Sequence, residues 1–238
     1  MTTPETHYGK WDSIRIKRQF SQLVSLSLPI IMQRLGIMTL GIVDTAMVAR
    51  FSSTEVAYQG IANSAIGSTL IVATIGLMMG TMVLTSNAYG AKDYKRCGRI
   101  LRRSIPYGFG IGIVCMSVCL FGEKILLMVG QTTDIARGGG EVAQVLSIGL
   151  LMTGVMLGCQ FFLEGINRPL PGMVFMMIAN VLNIFLNWVL VWGYLGFDPM
   201  GAVGSAWATS IIRTFLTVAM FIYIFMKLDR EKYGIFDK

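Results

Sequence analysis

"LVSLSLPIIMQRLGIMTLGIVDTAMVA", residues Leu23 to Ala49, decides the architecture. The run exceeds the roughly 20 apolar residues that an α-helix needs to cross a hydrocarbon core at about 1.5 Å per residue. A basic segment precedes it, as in a secretory signal. It is nevertheless far longer than a signal's apolar core of about 7 to 15 residues, and no small-residue cleavage site follows. It reads as a retained membrane helix. Inside it stand Arg34 and Asp44, and an unpaired carboxylate in hydrocarbon costs about 3 kcal/mol or more. Asp44 therefore needs partners, and the rest of the chain has to supply them.

The whole composition agrees with that first run. Of 238 residues 54% are hydrophobic and only 14% charged, and the mean hydropathy is +0.63, far from the usual mix of a water-soluble domain. Five further stretches are long and apolar enough to span, near Ile61 to Ala88, Ser104 to Gly122, Val142 to Leu163, Gly172 to Gly193 and Gly201 to Met226. The expected fold is an all-α integral membrane bundle of six helices. Residues 1–22 form a basic amino-terminal segment and 23–226 the transmembrane lobe; 227–238 form a tail or the start of a linker.

The formal charge of +7 raises the question of nucleic acid, which its distribution answers. Lys10, Arg15, Lys17 and Arg18 precede span one, and a cluster from Lys92 to Arg103 separates spans two and three. Arg168 lies between spans four and five, and Lys227, Arg230, Lys232 and Lys238 follow span six. Only Arg50, Lys124 and Arg137 fall on the other side. Translocated loops are depleted in Lys and Arg, so both termini are expected in the cytoplasm, with the chain in the cell's inner membrane. The charge sets topology and does not mark a nucleic-acid surface.

Other features carry less chemistry. Trp11 and Phe20 among the amino-terminal charges are compatible with a short interfacial helix or a solvated tail. "EKILLMVGQ" is too short to span and reads as an interfacial half-turn, while the three glycines of "TTDIARGGGE" suggest a flexible outer loop. The GxxxG spacings "GLMMG" and "GVMLG" are expected to serve packing within the bundle. Cys97, Cys115, Cys119 and Cys159 show neither a CxxC nor a zinc spacing and read as small apolar fillers.

Depth, counted from helical rise, is more informative. With a cytoplasmic start, Asp44 lies roughly 8 Å below the outer end of span one, and Asn187 and Asn183 roughly 9 and 15 Å below that of span five. Thr209 lies roughly 12 Å down span six. Asn180, Asn183 and Asn187 follow i, i+3, i+7 spacing and form one stripe. A carboxylate meeting amide and hydroxyl oxygens can coordinate a hard cation such as Na⁺, or hold a proton. The same residues can also serve as helix-to-helix hydrogen bonds. Arg34 and Arg213 fall near the midplane, with Asp44 and Glu164 as candidate counter-ions. Gln33, eleven residues before Asp44, lies on nearly the same face and is expected to line the same cavity.

These residues and their setting resemble the multidrug and toxic compound extrusion (MATE) family, closest to its NorM-like branch. The resemblance rests on "LSLPI" and "VDTAMVAR" in span one, "AYGAKD" after span two, "EGINRPLPGM" before span five, "LNIFLNWVLVWG" within it and "GAVGSAWAT" opening span six. It implies a transporter of twelve helices in two lobes that exports mostly cationic amphipathic compounds in exchange for Na⁺ or H⁺. By the same resemblance Asp44, Asn183, Asn187 and Thr209 match the family's coupling positions, with no cofactor beyond the ion. Some members carry Asp where this chain has Asn187, which leaves Asp44 as the only carboxylate in the expected cavity.

The chain resembles the amino-terminal lobe alone, so a second six-helix lobe is the expected partner. Arg34 and Arg213 are not recognised as family features and would repel a cationic compound. That keeps an anionic or zwitterionic substrate, or a non-transporting or assembly lobe, in play; a flippase of lipid-linked substrates is a further alternative, which many basic groups lining a groove would favour and for which only Arg34 and Arg213 are available. An enzyme is not expected, because the single histidine, His7, lies in the polar tail and no GxSxG motif or acidic cluster replaces it.

Overall fold

The computed structural model describes residues 13–234, within which helices are the only regular structure. Its long helices are α1 (Ser13–Phe51), α3 (Ser68–Gly90), α4 (Tyr94–Leu120), α6 (Thr133–Gly165), α7 (Leu170–Trp192) and α8 (Gly201–Lys227). Short helices α2 (Ser53–Ile61), α5 (Gly122–Met128) and α9 (Arg230–Tyr233) complete it. A π-helical turn, Ala62–Gly67, joins α2 to α3, so the two make one continuous span, Ser53–Gly90. All six expected spans are present as helices long and apolar enough to cross a membrane. His7 and Trp11 lie outside the described residues.

α6 is the hub. Seventy-two per cent of its most apolar window is buried, against 17% for α1, and it packs on α2, α3, α4, α5 and α8. α1 lies along α7, which in turn lies along α8. The outward surfaces of these helices carry Leu28, Ile42, Val72 and Val181 in the open, as a lipid-facing bundle requires.

Two expectations about glycine need correction. "TTDIARGGGE" is not a loop but the first turns of α6. A Cβ on Gly138 would stand 2.6 Å from the Tyr58 ring, one on Gly139 2.7 Å from Ile61 Cγ2, and one on Gly140 2.8 Å from Glu123 Cβ. Absence of side chains lets α2 and α5 close on α6, and that packing outweighs the helix penalty of about 1 kcal/mol per glycine. Of the GxxxG pairs, "GVMLG" does pack internally, with Gly154 against Gly108 and Gly158 against Met78. Gly76 and Gly80 of "GLMMG" meet nothing within 4 Å.

The stretch read as the connection between spans one and two is also helical. Ser52 precedes α2, and Glu55 in its first turn accepts from the Ala202 amide at 2.8 Å. The carboxylate thus sits at the positive end of α8 and ties the two helices together. Gly201 holds φ of +53°, and a Cβ there would stand 2.6 Å from Glu55 Oε2, so both conformation and space call for glycine.

At the end of the bundle where α8 finishes, the chain folds back. Tyr233 is buried against Tyr94 and Phe162, and Arg102 donates to the Gly234 carbonyl at 3.1 Å. Residues up to Gly234 therefore cover the start of α4 and do not hang free. The four cysteines are buried thiols, filling space as expected.

Candidate functional site

Asp44 has the partners its position demanded. Its side chain is 7% exposed, Oδ1 accepts from Asn187 Nδ2 at 2.7 Å and Oδ2 accepts from Thr209 Oγ1 at 2.7 Å. Three helices, α1, α7 and α8, meet at this carboxyl group. Asn187 also donates to the Asn183 carbonyl one turn earlier at 3.0 Å, which fixes the amide plane. Both bonds to Asp44 come from donors, an arrangement that suits a charged carboxylate.

Unpaired oxygen remains around it. Asn183 Oδ1 and Nδ2 and Asn187 Oδ1 are sealed from solvent without hydrogen-bond partners, at residues that are 1% and 0% exposed. Buried amides are ordinarily satisfied. Carboxylate, amide and hydroxyl oxygens together make the donor set that a hard cation takes. The four residues thus fit Na⁺ as well as a proton on Asp44.

Asp44 opens onto a cavity of about 410 Å³ whose wall includes Arg34, Gln59, Asn63, Asn183, Ser205, Thr209 and Arg213 among mostly apolar residues. Gln33 does not belong to it, contrary to expectation. Its amide packs against Gly172 at the start of α7, buried and without a hydrogen-bond partner. The face of α1 that meets the cavity at Asp44 is covered by α7 at Gln33. Asn180 is likewise outside the wall. Its Nδ2 donates to the Gly36 carbonyl at 3.2 Å and the Met176 carbonyl at 2.9 Å, clasping α7 to α1.

Several polar wall residues escaped the sequence reading, Gln59, Asn63, Ser68 and Ser205 among them. Gln59 donates to Ser205 Oγ at 3.0 Å, and its Oε1 is buried without a partner; Asn63 and Ser68 lie on and beside the π-helical turn. π turns inside helices often mark functional positions. The signal was present, since Ser52 and Glu55 have the form of a helix start.

Glu164 pairs with Arg34, not Arg213. Arg34 Nη2 lies 3.6 Å from Glu164 Oε1, Gln160 Nε2 donates to the same oxygen at 2.9 Å, and the guanidinium lies 5.8 Å from the Phe161 ring centre. Glu164→Gln should destabilise the protein, by less than the roughly 3 kcal/mol of a fully buried pair because the Arg34 side chain is 37% exposed. The double variant Arg34→Met/Glu164→Met should recover most of that loss in thermal unfolding in detergent. A double variant less stable than the single one would show that the pair is not what matters.

Sequence comparison identifies the family of the chain. Residues 29–189 match the MatE family. The chain belongs to the MatE family. It is 37% identical to the probable multidrug resistance protein NorM of Caulobacter vibrioides, a match covering 91% of this chain and 46% of that protein. It is 28% identical to the multidrug and toxin extrusion protein 2 of Mus musculus over 89% of this chain and 36% of the relative. In fold it is similar to the eukaryotic MATE transporter AtDTX14, with a TM-score of 0.85 at 20% identity, covering 93% of this chain and 48% of that one. This MatE chain is therefore a multi-pass membrane protein, and it spans about half the length of the curated relatives it matches.

Proposed function

We propose that the chain is the amino-terminal lobe of an ion-coupled multidrug exporter, and that Asp44 is where the coupling cation and the substrate exclude one another. The observation that carries this is the meeting of α1, α7 and α8 on one carboxylate beside unsatisfied amide oxygens. The names of the relatives support efflux of drugs. Na⁺ or a proton arriving at Asp44 neutralises the charge that holds α7 and α8 to α1. The helices repack, and the balance between outward- and inward-open states shifts. Pro29 inside α1 leaves that helix free to bend. A second six-helix lobe, reached through the open side of the cavity, completes the transport path. The inner membrane, with both termini in the cytoplasm, is the setting that the charge distribution favours.

The test is displacement. An amphipathic amine dye should bind the purified chain in detergent, and Na⁺ at fixed pH, or protons at fixed Na⁺, should displace it competitively. Whichever ion displaces the dye is the coupling ion, and binding indifferent to both would remove the reading.

A further inference from the structure

Two arginines line a mostly apolar cavity, and they are not in the same state. Arg34 faces Glu164. Among the described residues Arg213 makes no such contact ion pair: its Nη1 is sealed from solvent without a hydrogen bond, and the two oxygens of Asp44, the acid whose charge it feels, accept from Asn187 and Thr209 instead. The Arg213 stem passes Gly149 of α6, where a Cβ would stand 3.2 Å from Arg213 Cδ. Ser210 of α8 comes closer still, with its Cα and Oγ 2.9 Å from such a Cβ, so Gly149 lets α8 and the Arg213 stem pack close on α6; a guanidinium offers a planar fork of donors matched to a carboxylate.

The charges on the wall then constrain the ligand. With Asp44 ionised, Arg34 offsets Glu164, and Arg213 offsets Asp44. A ligand with one positive group, seated at Asp44, neutralises that acid and leaves Arg213 as an uncompensated cation in an apolar hollow, which is unfavourable. A ligand carrying both signs compensates both groups.

We infer that this cavity selects zwitterionic amphipaths, with the ligand's ammonium at Asp44 and its carboxylate gripped by the Arg213 guanidinium. The inference rests on the reading of Asp44 as the exchange site and deepens it by naming the substrate class. Thr209, which binds Asp44, and Arg213 are one turn apart on the same face of α8, so both ligand charges would be met from one side of the cavity. Arg213 then determines specificity, while the ammonium and the coupling cation still compete for one carboxylate.

The experiment uses a xanthene dye bearing amines and a free carboxylic acid, and the methyl ester of the same dye, each titrated onto the purified chain in detergent. Wild type should bind the acid about tenfold tighter than the ester. Arg213→Gln should weaken the acid about tenfold, leave the ester unchanged or tighter, and thus erase the preference; Arg213→Lys should keep part of it. An ester that binds wild type as tightly as the acid would overturn the inference, as would an Arg213→Gln variant that weakens both dyes equally. Should Arg213→Gln fail to fold, the wild-type comparison and Arg213→Lys decide the matter. Cation displacement that persists without acid preference sinks this inference alone, whereas dye binding indifferent to Na⁺ and protons sinks the exchange site beneath it.

Discussion

Asp44→Asn should end the competition between cation and ligand while the protein remains folded: the amine dye loses its affinity with the charge, and an uncharged fluorescent analogue, still bound, should be displaced by neither Na⁺ nor protons. Two unit charges 4 Å apart at an effective dielectric near 20 attract by about 4 kcal/mol, close to three decades in affinity. Removing the negative member takes that whole interaction from the cation. Folding survives because asparagine can keep both bonds: its oxygen accepts from Asn187, and its amide donates to Thr209, whose hydroxyl turns from donor to acceptor. Thr209→Val should be milder, costing roughly tenfold or less in cation affinity, since it removes one neutral ligand and leaves the charge. Cation titrations monitored by dye fluorescence, with thermal unfolding as the control for folding, measure both. An Asp44→Asn variant displaced by cations as readily as wild type would place the ion elsewhere.

The features readable in the sequence are those that hydrocarbon forces on a chain. Six apolar runs appear as six helices because an unsatisfied backbone cannot cross lipid. Asp44, Asn187 and Thr209 meet because a membrane acid without donors is too costly to keep. Periodicity alone does not say which neighbour a face will meet. Gln33 shares the face of Asp44 on α1, yet α7 covers it at Gly172, and Asn180 shares the stripe of Asn183 but reaches the Gly36 carbonyl instead. Glycine was the other ambiguity. The same residue that frees a loop also allows close approach, and Gly138, Gly139 and Gly140 resolve toward packing only because Tyr58, Ile61 and Glu123 come from distant segments. Gln59 was hidden because its helix begins with a polar turn that hydropathy places outside the membrane, and Asn63, within the expected second span, because its spacing gives no sign of the π-helical turn on which it reaches the cavity.

Close packing also supplies the largest expected stability effect, Gly154→Leu. A Cβ on Gly154 would collide with the Gly108 carbonyl oxygen and one on Gly112 with the Leu151 oxygen, while one on Gly108 would stand 2.6 Å from the Gly154 oxygen. α4 and α6 therefore touch backbone to backbone over more than one turn, and no side chain can yield to make room. Contacts of this kind hold helices together in lipid, where burial of apolar surface gives little reason for two helices to associate. Leucine at 154 must push the helices apart, and overpacking against rigid backbone should cost about 3 kcal/mol or more. Because α6 is the hub, the displacement also reaches Leu146, Thr153 and Met156 on the cavity wall, so dye binding should fall along with thermal stability. Gly110→Leu is the matched control: it lies on α4, meets nothing within 4 Å, and gains the same helix propensity of about 1 kcal/mol. The difference between the two variants in detergent unfolding isolates the crossing itself. If Gly154→Leu unfolds no earlier than Gly110→Leu, α4 and α6 do not meet through these glycines, and the placement of the hub helix is wrong.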